Sequence, residues 1–158
     1  MSTEIHLIHG FMGFGKTTFA KKLEKSLPAV RFTHDEIMLS RYGRTPDNFA
    51  KCYEEVTQYI KNEAQKEIAK GNNVILDFGF WDKQTRQEYY FWAKSLTDKV
   101  CFHALVCDIE IAKNRTLTRT KNNPDELYID EDCFNDRLKK FTPLTDDEGY
   151  NTIYYKSS

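Results

Sequence analysis

The stretch IHGFMGFGKTTFAKKL, residues 8–23, decides how this chain is read. The apolar run Ile5-His6-Leu7-Ile8 leads into it, and a segment of helical period follows. Between them Gly10, four further residues, Gly15, Lys16 and Thr17 reproduce the phosphate-binding loop pattern residue for residue. Small residues are needed there because backbone N–H groups must curl around phosphates with no Cβ in the way. Gly10, Phe11, Met12, Gly13, Phe14, Gly15, Lys16, Thr17 and Thr18 therefore read as a nucleotide cradle. Lys16 is expected to reach the β- and γ-phosphates and the Thr17 hydroxyl to ligate Mg²⁺. A helix over residues 17–26 would aim its positive end at the same anions. The ligand implied is a nucleoside triphosphate, ATP or GTP, with Mg²⁺.

Outward from the loop, apolar runs of strand length alternate with longer segments of helical period. Residues 30–33, 74–77, 100–106 and 152–155 read as strands. Thr45-Pro46 reads as an N-cap with proline at the first helical position. The helix it would open carries Phe49, Tyr53, Val56, Ile60, Ala64 and Ile68 on one face and closes at Gly71-Asn72-Asn73. Tyr89, Trp92, Ala93 and Leu96 mark another helix, residues 109–120 a polar one, and Phe134, Leu138 and Phe141 a last one. Such alternation predicts an α/β fold with a parallel sheet covered on both faces. Ligands of these sheets bind beyond the carboxyl ends of the strands, which singles out residues 10–18, 34–35, 77–81 and 107–108.

Those ends hold the chemistry. Asp77 closes a four-residue apolar strand, where a carboxylate can hold a magnesium-bound water or a substrate hydroxyl; capping the next turn is the plainer alternative. Asp35, in FTHDEI, is placed to accept the proton of an acceptor hydroxyl, or simply to cap a short helix. Its neighbour His34 could titrate near neutrality, although a lone histidine is more often structural. Arg115 and Arg119, four apart in NRTLTRTKN, share one helix face. With Lys113 and Lys121 they form a basic cluster able to neutralise a transferring phosphate, or else a solvated basic surface. Arg41, Arg44 and Arg86 are lesser candidates for contact with an acceptor, and Phe78, Phe80 and Trp81 for the lining of its pocket. The acidic stretch at 125–132 reads as an exposed turn before a helix and argues against nucleic acid crossing that surface.

The bulk numbers set bounds. A length of 158 residues suits a single domain over 1–158, and a net charge of −1 provides no global basic field for nucleic acid. Hydrophobic content of 40% and charged content of 30% are those of an ordinary soluble protein. Cys52, Cys101, Cys107 and Cys133 show no CxxC pair and no histidine at zinc spacing, so reduced thiols in a cytoplasmic protein are expected. No apolar stretch approaches the roughly 20 residues that cross a bilayer.

The glycine loop, the Asp after the second strand, VILDFGF, Arg86 and the paired arginines together resemble the small P-loop kinases of the AAA_33 type. That group is related to the polynucleotide kinase, chloramphenicol phosphotransferase and zeta-toxin folds. The likeness extends to FTPLTDDEGYNTI, residues 141–153. It implies a three-layer P-loop NTPase fold with roughly five parallel strands and Asp77 on the strand beside the loop strand. It implies a small helical lid at about 109–125, with Arg115 toward the nucleotide and Arg119 toward the transferring phosphate. It casts Asp35 as the base. Phe14 departs from the pattern, which favours a small residue, and its ring is expected over the acceptor side. The short chain leaves little room for a large acceptor-binding insertion.

The resulting expectation is an ATP-dependent phosphotransferase acting on the hydroxyl of a small molecule. Asp35 would be the base, Lys16, Arg115 and Arg119 the charge stabilisers, and Thr17 with Asp77 the magnesium shell. The alternatives are an NTP-hydrolysing switch working through a protein partner and a kinase of nucleic-acid 5′-hydroxyls.

Overall fold

β1 (Glu4–His9) is the middle strand of the sheet, and its alternation explains the layers on either side. Ile5 and Leu7 point to one face and Ile8 to the other, each into its own core. A computed structural model describes residues 3–126 and 128–156. Around β1 lie β2 (Ala29–Phe32), β3 (Asn73–Gly79), β4 (Lys99–Val106) and β5 (Thr152–Lys156), in the order β2-β3-β1-β4-β5 and all parallel. The register pairs Leu7 with Leu76 on one side and with Phe102 on the other. The expected α/β sheet of five parallel strands, with β3 beside the loop strand, is what the chain forms.

Six helices cover the sheet among the described residues: α1 (Lys16–Ser26), α2 (His34–Tyr42), α3 (Phe49–Ala69), α4 (Lys83–Leu96), α5 (Ile109–Asn122) and α6 (Glu131–Leu138). Met38 of α2, Val56, Ile60 and Ala64 of α3, and Tyr89 and Ala93 of α4 fill the core on one face. Ala20 of α1, Ala112 of α5 and Phe134 of α6 fill the other. The chain leaves β1 toward β2 but leaves β4 toward β5, so a crevice opens at the carboxyl ends beside β1. None of the described helices is long and apolar enough to cross a membrane.

Two boundaries differ from the sequence reading. Thr45-Pro46 does not start a helix; α3 begins at Phe49, with Asn48 as its N-cap. Asn48 takes a left-handed φ of 51°, and its side chain accepts from Lys51 N–H at 3.4 Å. A tertiary tie holds this stretch open instead: Arg44 donates to the carbonyls of Thr120 and of Glu126, the latter at 2.8 Å. Phe141 lies past the end of α6, and its ring stacks on His9 with centroids 5.5 Å apart.

The segment after α6 is fastened by a buried ion pair. Arg86, 0% exposed, donates through Nε and Nη2 to the two Glu148 oxygens at 2.8 and 2.9 Å. Its Nη1 donates to the carbonyls of Phe80 and Thr142 at 2.8 and 2.9 Å. Burial alone would raise the Glu148 carboxyl, but the Arg86 hydrogen bonds and the Thr145 N–H outweigh it and hold the group below its ordinary value. His9 completes the fastening. Its Nδ1–H donates to Gly79 O at 2.8 Å while Nε2 accepts from Leu144 N–H at 3.0 Å. Burial, together with the charge of Arg86, keeps that ring neutral, with its pKa lowered to about 4.

Candidate active site

The glycine loop follows β1 directly and is pinned to β3, since Gly10 N–H donates to Gly79 O at 3.1 Å. Gly13 holds a φ of +78°, and a Cβ there would lie 2.2 Å from the Ala112 carbonyl of α5. Only glycine lets α5 rest this closely on the loop. Gly15, at φ 91°, is the N-cap from which α1 starts, so the first turn of α1 opens toward the loop. Lys16 Nζ donates to Phe11 O at 3.1 Å, which carries the ammonium across the loop. Burial lowers the Lys16 pKa against the attraction of Asp77 and Asp35.

Thr17 and Asp77, 60 residues apart, meet here: Thr17 Oγ1 donates to Asp77 Oδ2 at 3.3 Å. Asp77 is 4% exposed at the carboxyl end of β3, and its other oxygen, Oδ1, is buried with no hydrogen-bond partner among the described residues. Burial raises its pKa against the pull of Lys16. An orphaned acceptor beside a threonine hydroxyl is what a hard cation that prefers oxygen and water would satisfy. These residues fit Mg²⁺.

Asp35 sits in the first turn of α2, exposed, with Thr33 rather than itself as the N-cap. Among the described residues no hydrogen bond holds its carboxylate, while its charge acts on Lys16, Asp77 and Tyr53. His34 turns inward. Its ring stacks on Tyr53 at 4.0 Å, Nε2 lies 2.7 Å from Thr57 Oγ1, and burial lowers its pKa to about 3. It is neutral and structural.

α5 brings the two arginines to the loop from above. Arg115 Nη1 donates to Gly13 O at 3.4 Å and lies 3.9 Å from Cys107 Sγ. Arg119 is half exposed, pairs with Glu126 at 2.8 Å, and acts electrostatically on Lys16. The cluster is not free of acids, since Lys113 pairs with Glu131 at 3.1 Å. These acids come from the segment after α5, where Asp130 caps α6; Leu127 of the acidic stretch lies outside the described residues.

Several side chains go elsewhere than expected. Phe14, 4% exposed, turns away from the acceptor side and stands edge-on to Phe11 and Phe141 beneath the loop, because the core there takes up its apolar ring. Phe80 is buried against Tyr89 and Phe102, and Trp81 packs on Phe11 while its Nε1–H donates to Gly10 O at 3.2 Å. Phe80 is a core residue, and Trp81 is partly buried against the second core. Arg41 lies over the Tyr59 ring at 4.6 Å, Arg44 ties the loop before α3 to the end of α5, and Arg86 is buried. None of the three is an unengaged arginine at the surface.

The sequence did not show which side chains between Asp35 and Lys70 face the crevice. Tyr53, 36% exposed, feels the charges of both Asp35 and Arg137, and Arg137 lies over the Phe49 ring at 4.8 Å. The apolar stripe of α3 thus changes use along its length: Val56, Ile60 and Ala64 are core, whereas Phe49 and Tyr53 flank the crevice. A tyrosine at the amino end of the stripe was the available signal; nothing in the sequence marked Arg137.

A central strand running into a glycine loop, an acid on the neighbouring strand and a basic helix over the loop define a P-loop kinase-like fold. Residues 5–144 match AAA_33, an AAA domain, and the chain belongs to that family. Among solved structures, a candidate kinase from Chloroflexus aurantiacus superposes with a TM-score of 0.76 at 14% identity, covering 99% of this chain and 89% of its own. Kti12 of Chaetomium thermophilum, in complex with ADP-AlF3, gives 0.68 at 16% identity, covering 98% and 88%. A gluconokinase from Sinorhizobium meliloti 1021 gives 0.63 at 13% identity, covering 98% and 82%. At these identities the likeness establishes the fold. No curated protein matches this sequence.

Proposed function

We propose that this chain is a phosphotransferase that moves the γ-phosphoryl group of ATP to the hydroxyl of a small molecule. One observation carries the reading. Asp35 is an exposed carboxylate that no hydrogen bond holds among the described residues, and it acts on Lys16 and Asp77 from outside the loop. A carboxylate so placed suits deprotonation of an acceptor hydroxyl.

Loop N–H groups and Lys16 hold the phosphates, and Arg115 steadies the nucleotide from above Gly13. Asp35 takes the proton of the acceptor hydroxyl as its oxygen bonds to phosphorus, and the bond to ADP breaks with its electron pair leaving on ADP. Arg119 exchanges Glu126 for the transferring group and neutralises charge there. Thr17 and Asp77 are the residues that would hold Mg²⁺, which, when bound, would offset charge on the phosphate oxygens. The acceptor would rest between Asp35, Tyr53 and Arg137, where a carboxylate, an aromatic face and a guanidinium suit a small polar alcohol. The net charge of −1 favours such a molecule over a nucleic acid.

The test is ATP consumption with Mg²⁺, alone and with pooled acceptors: sugars, aminoglycosides, nucleosides and 5′-hydroxyl oligonucleotides. Stimulation by one small-molecule pool is expected, and Asp35→Asn should lower kcat by roughly 10²–10⁴-fold while leaving nucleotide affinity unchanged. Steady hydrolysis indifferent to every pool would favour the switch. Loss of nucleotide binding in the variant would make Asp35 a ligand rather than a base.

A further inference from the structure

On one face of the sheet, β1 and β4 bring together side chains that the proposed reaction does not use. The register sets His6 opposite Cys101 and Ile8 opposite His103, so His6, Cys101 and His103 share one face. Each is less than a tenth exposed, at 8%, 9% and 4%. Their ligating atoms all lie within 4.8 Å of one another. Cys101 and His103 lie two apart on β4, and the sheet brings His6 of β1 beside them.

The orientation of the rings is the informative part. His6 Nδ1 and His103 Nε2 face each other at 2.7 Å. Each ring is steered by an oxygen at its far nitrogen: Glu4 Oε1 at 3.0 Å from His6 Nε2, and Tyr155 Oη at 2.9 Å from His103 Nδ1. That is the outer-shell pattern by which carboxylates and hydroxyls fix the tautomer and aim of metal-binding imidazoles. With both far nitrogens protonated, two lone pairs converge on one point beside the Cys101 sulfur, and only a proton or a cation lets them coexist. We propose that His6, Cys101 and His103 form a zinc-class metal site on the face of β1 and β4 that α1 covers, apart from the side chains of the proposed reaction.

The donor set decides the class. Two imidazoles and one thiolate suit a borderline ion such as Zn²⁺ or Co²⁺ and exclude Mg²⁺ and Ca²⁺, which require oxygen. Three protein ligands leave a fourth position for water. An open cavity of about 330 Å³ lined in part by Glu4, His6 and Cys101 adjoins the cluster. For bonds near 2.0 Å in a tetrahedron the two nitrogens must open from 2.7 Å to about 3.3 Å, a shift that side-chain torsions can supply. Binding converts the Cys101 thiol to a thiolate and releases one proton to solvent, and the proton shared between the rings moves to His103 Nδ1. No electron is transferred.

The competing arrangement is a metal-free chain. Tyr155 O–H would donate to His103 Nδ1, His103 Nε2–H to His6 Nδ1, and His6 Nε2–H to Glu4. Titrating the tag-free protein with Co²⁺ separates the two. One equivalent should produce a thiolate-to-cobalt charge-transfer band with tetrahedral ligand-field bands, and Zn²⁺ should displace them. Cys101→Ser should lose the charge-transfer band. A variant with Cys52, Cys107 and Cys133 all changed to Ser leaves this cluster intact and should keep it, with one equivalent bound. Absence of the band in the unaltered protein, its persistence in Cys101→Ser, or its loss in the triple variant would each overturn the proposal.

Discussion

Arg86 and Glu148, 62 residues apart, meet in a two-pronged buried ion pair that fastens the segment between α6 and β5 to the amino end of α4. The remaining Arg86 donor reaches the carbonyls of Phe80 and Thr142, so each side of the pair is satisfied. Arg86→Met would strand the Glu148 charge in the interior at a cost of about 3–5 kcal/mol. For a chain of this size the melting temperature should fall by about 6–20 °C. The double variant Arg86→Met with Glu148→Leu should regain part of that loss, since no charge is then left unpaired. Thermal melts of the single and double variants check this, and equal losses in both would show that the pair itself is not the cause.

Asp77→Asn removes the charge beside Thr17 while keeping the shape of the strand end. Magnesium-dependent ATP affinity should fall about 10-fold or more, with little change in binding measured without magnesium. Calorimetric titration of ATP with and without Mg²⁺ distinguishes these arms, and an equal loss in both would place Asp77 outside the metal shell.

Arg119 pairs with Glu126 at 2.8 Å and, in the proposed reaction, would exchange it for the transferring phosphate. Arg119→Ala should lower kcat by roughly 10³-fold with KM for ATP changed little, as expected of a charge that matters in the transition state. A rise in KM at constant kcat would assign it to ground-state binding instead.

Acid sensitivity should begin above the carboxylate range. Folded His9 and His34 have pKa values lowered to about 4 and about 3, whereas both titrate near 6.5 when unfolded. Between pH 6.5 and 4 the unfolded chain therefore binds protons that the folded chain refuses. Stability is full above pH 6.5 and is lost as pH falls, at roughly 1.4 kcal/mol per pH unit for each ring. Urea unfolding at pH 7, 6 and 5 measures the slope before carboxylates protonate, and a flat profile there would mean that neither ring is held neutral by the fold.

What the sequence made legible was local. The loop identifies itself because its chemistry requires glycine and lysine at fixed spacing, and the strands show because buried parallel strands are continuous apolar runs. Less legible was whatever depends on a distant partner. Arg86 looked like any surface arginine because Glu148 lies far along the chain, and Arg44 gave no sign of binding carbonyls beyond α5. Phe14 pointed the wrong way in the reading because the rings beneath it, Phe11 and Phe141, are gathered only by folding. Thr45-Pro46 carried a sound local signal for a helix start, and the anchoring of Arg44 beside it overrode that signal.

The Arg44 tie has a further consequence. One guanidinium joins the stretch between α2 and α3, on the Asp35 side of the crevice, to the carboxyl end of α5, the helix that rests on Gly13. Any displacement of α5 would therefore pull on the backbone between α2 and α3, and a shift of that backbone would pull on α5. Linkage is symmetric, so whatever factor one ligand imposes on its companion's affinity is returned unchanged. Arg44 thus ties the two sides of the crevice together through a single side chain.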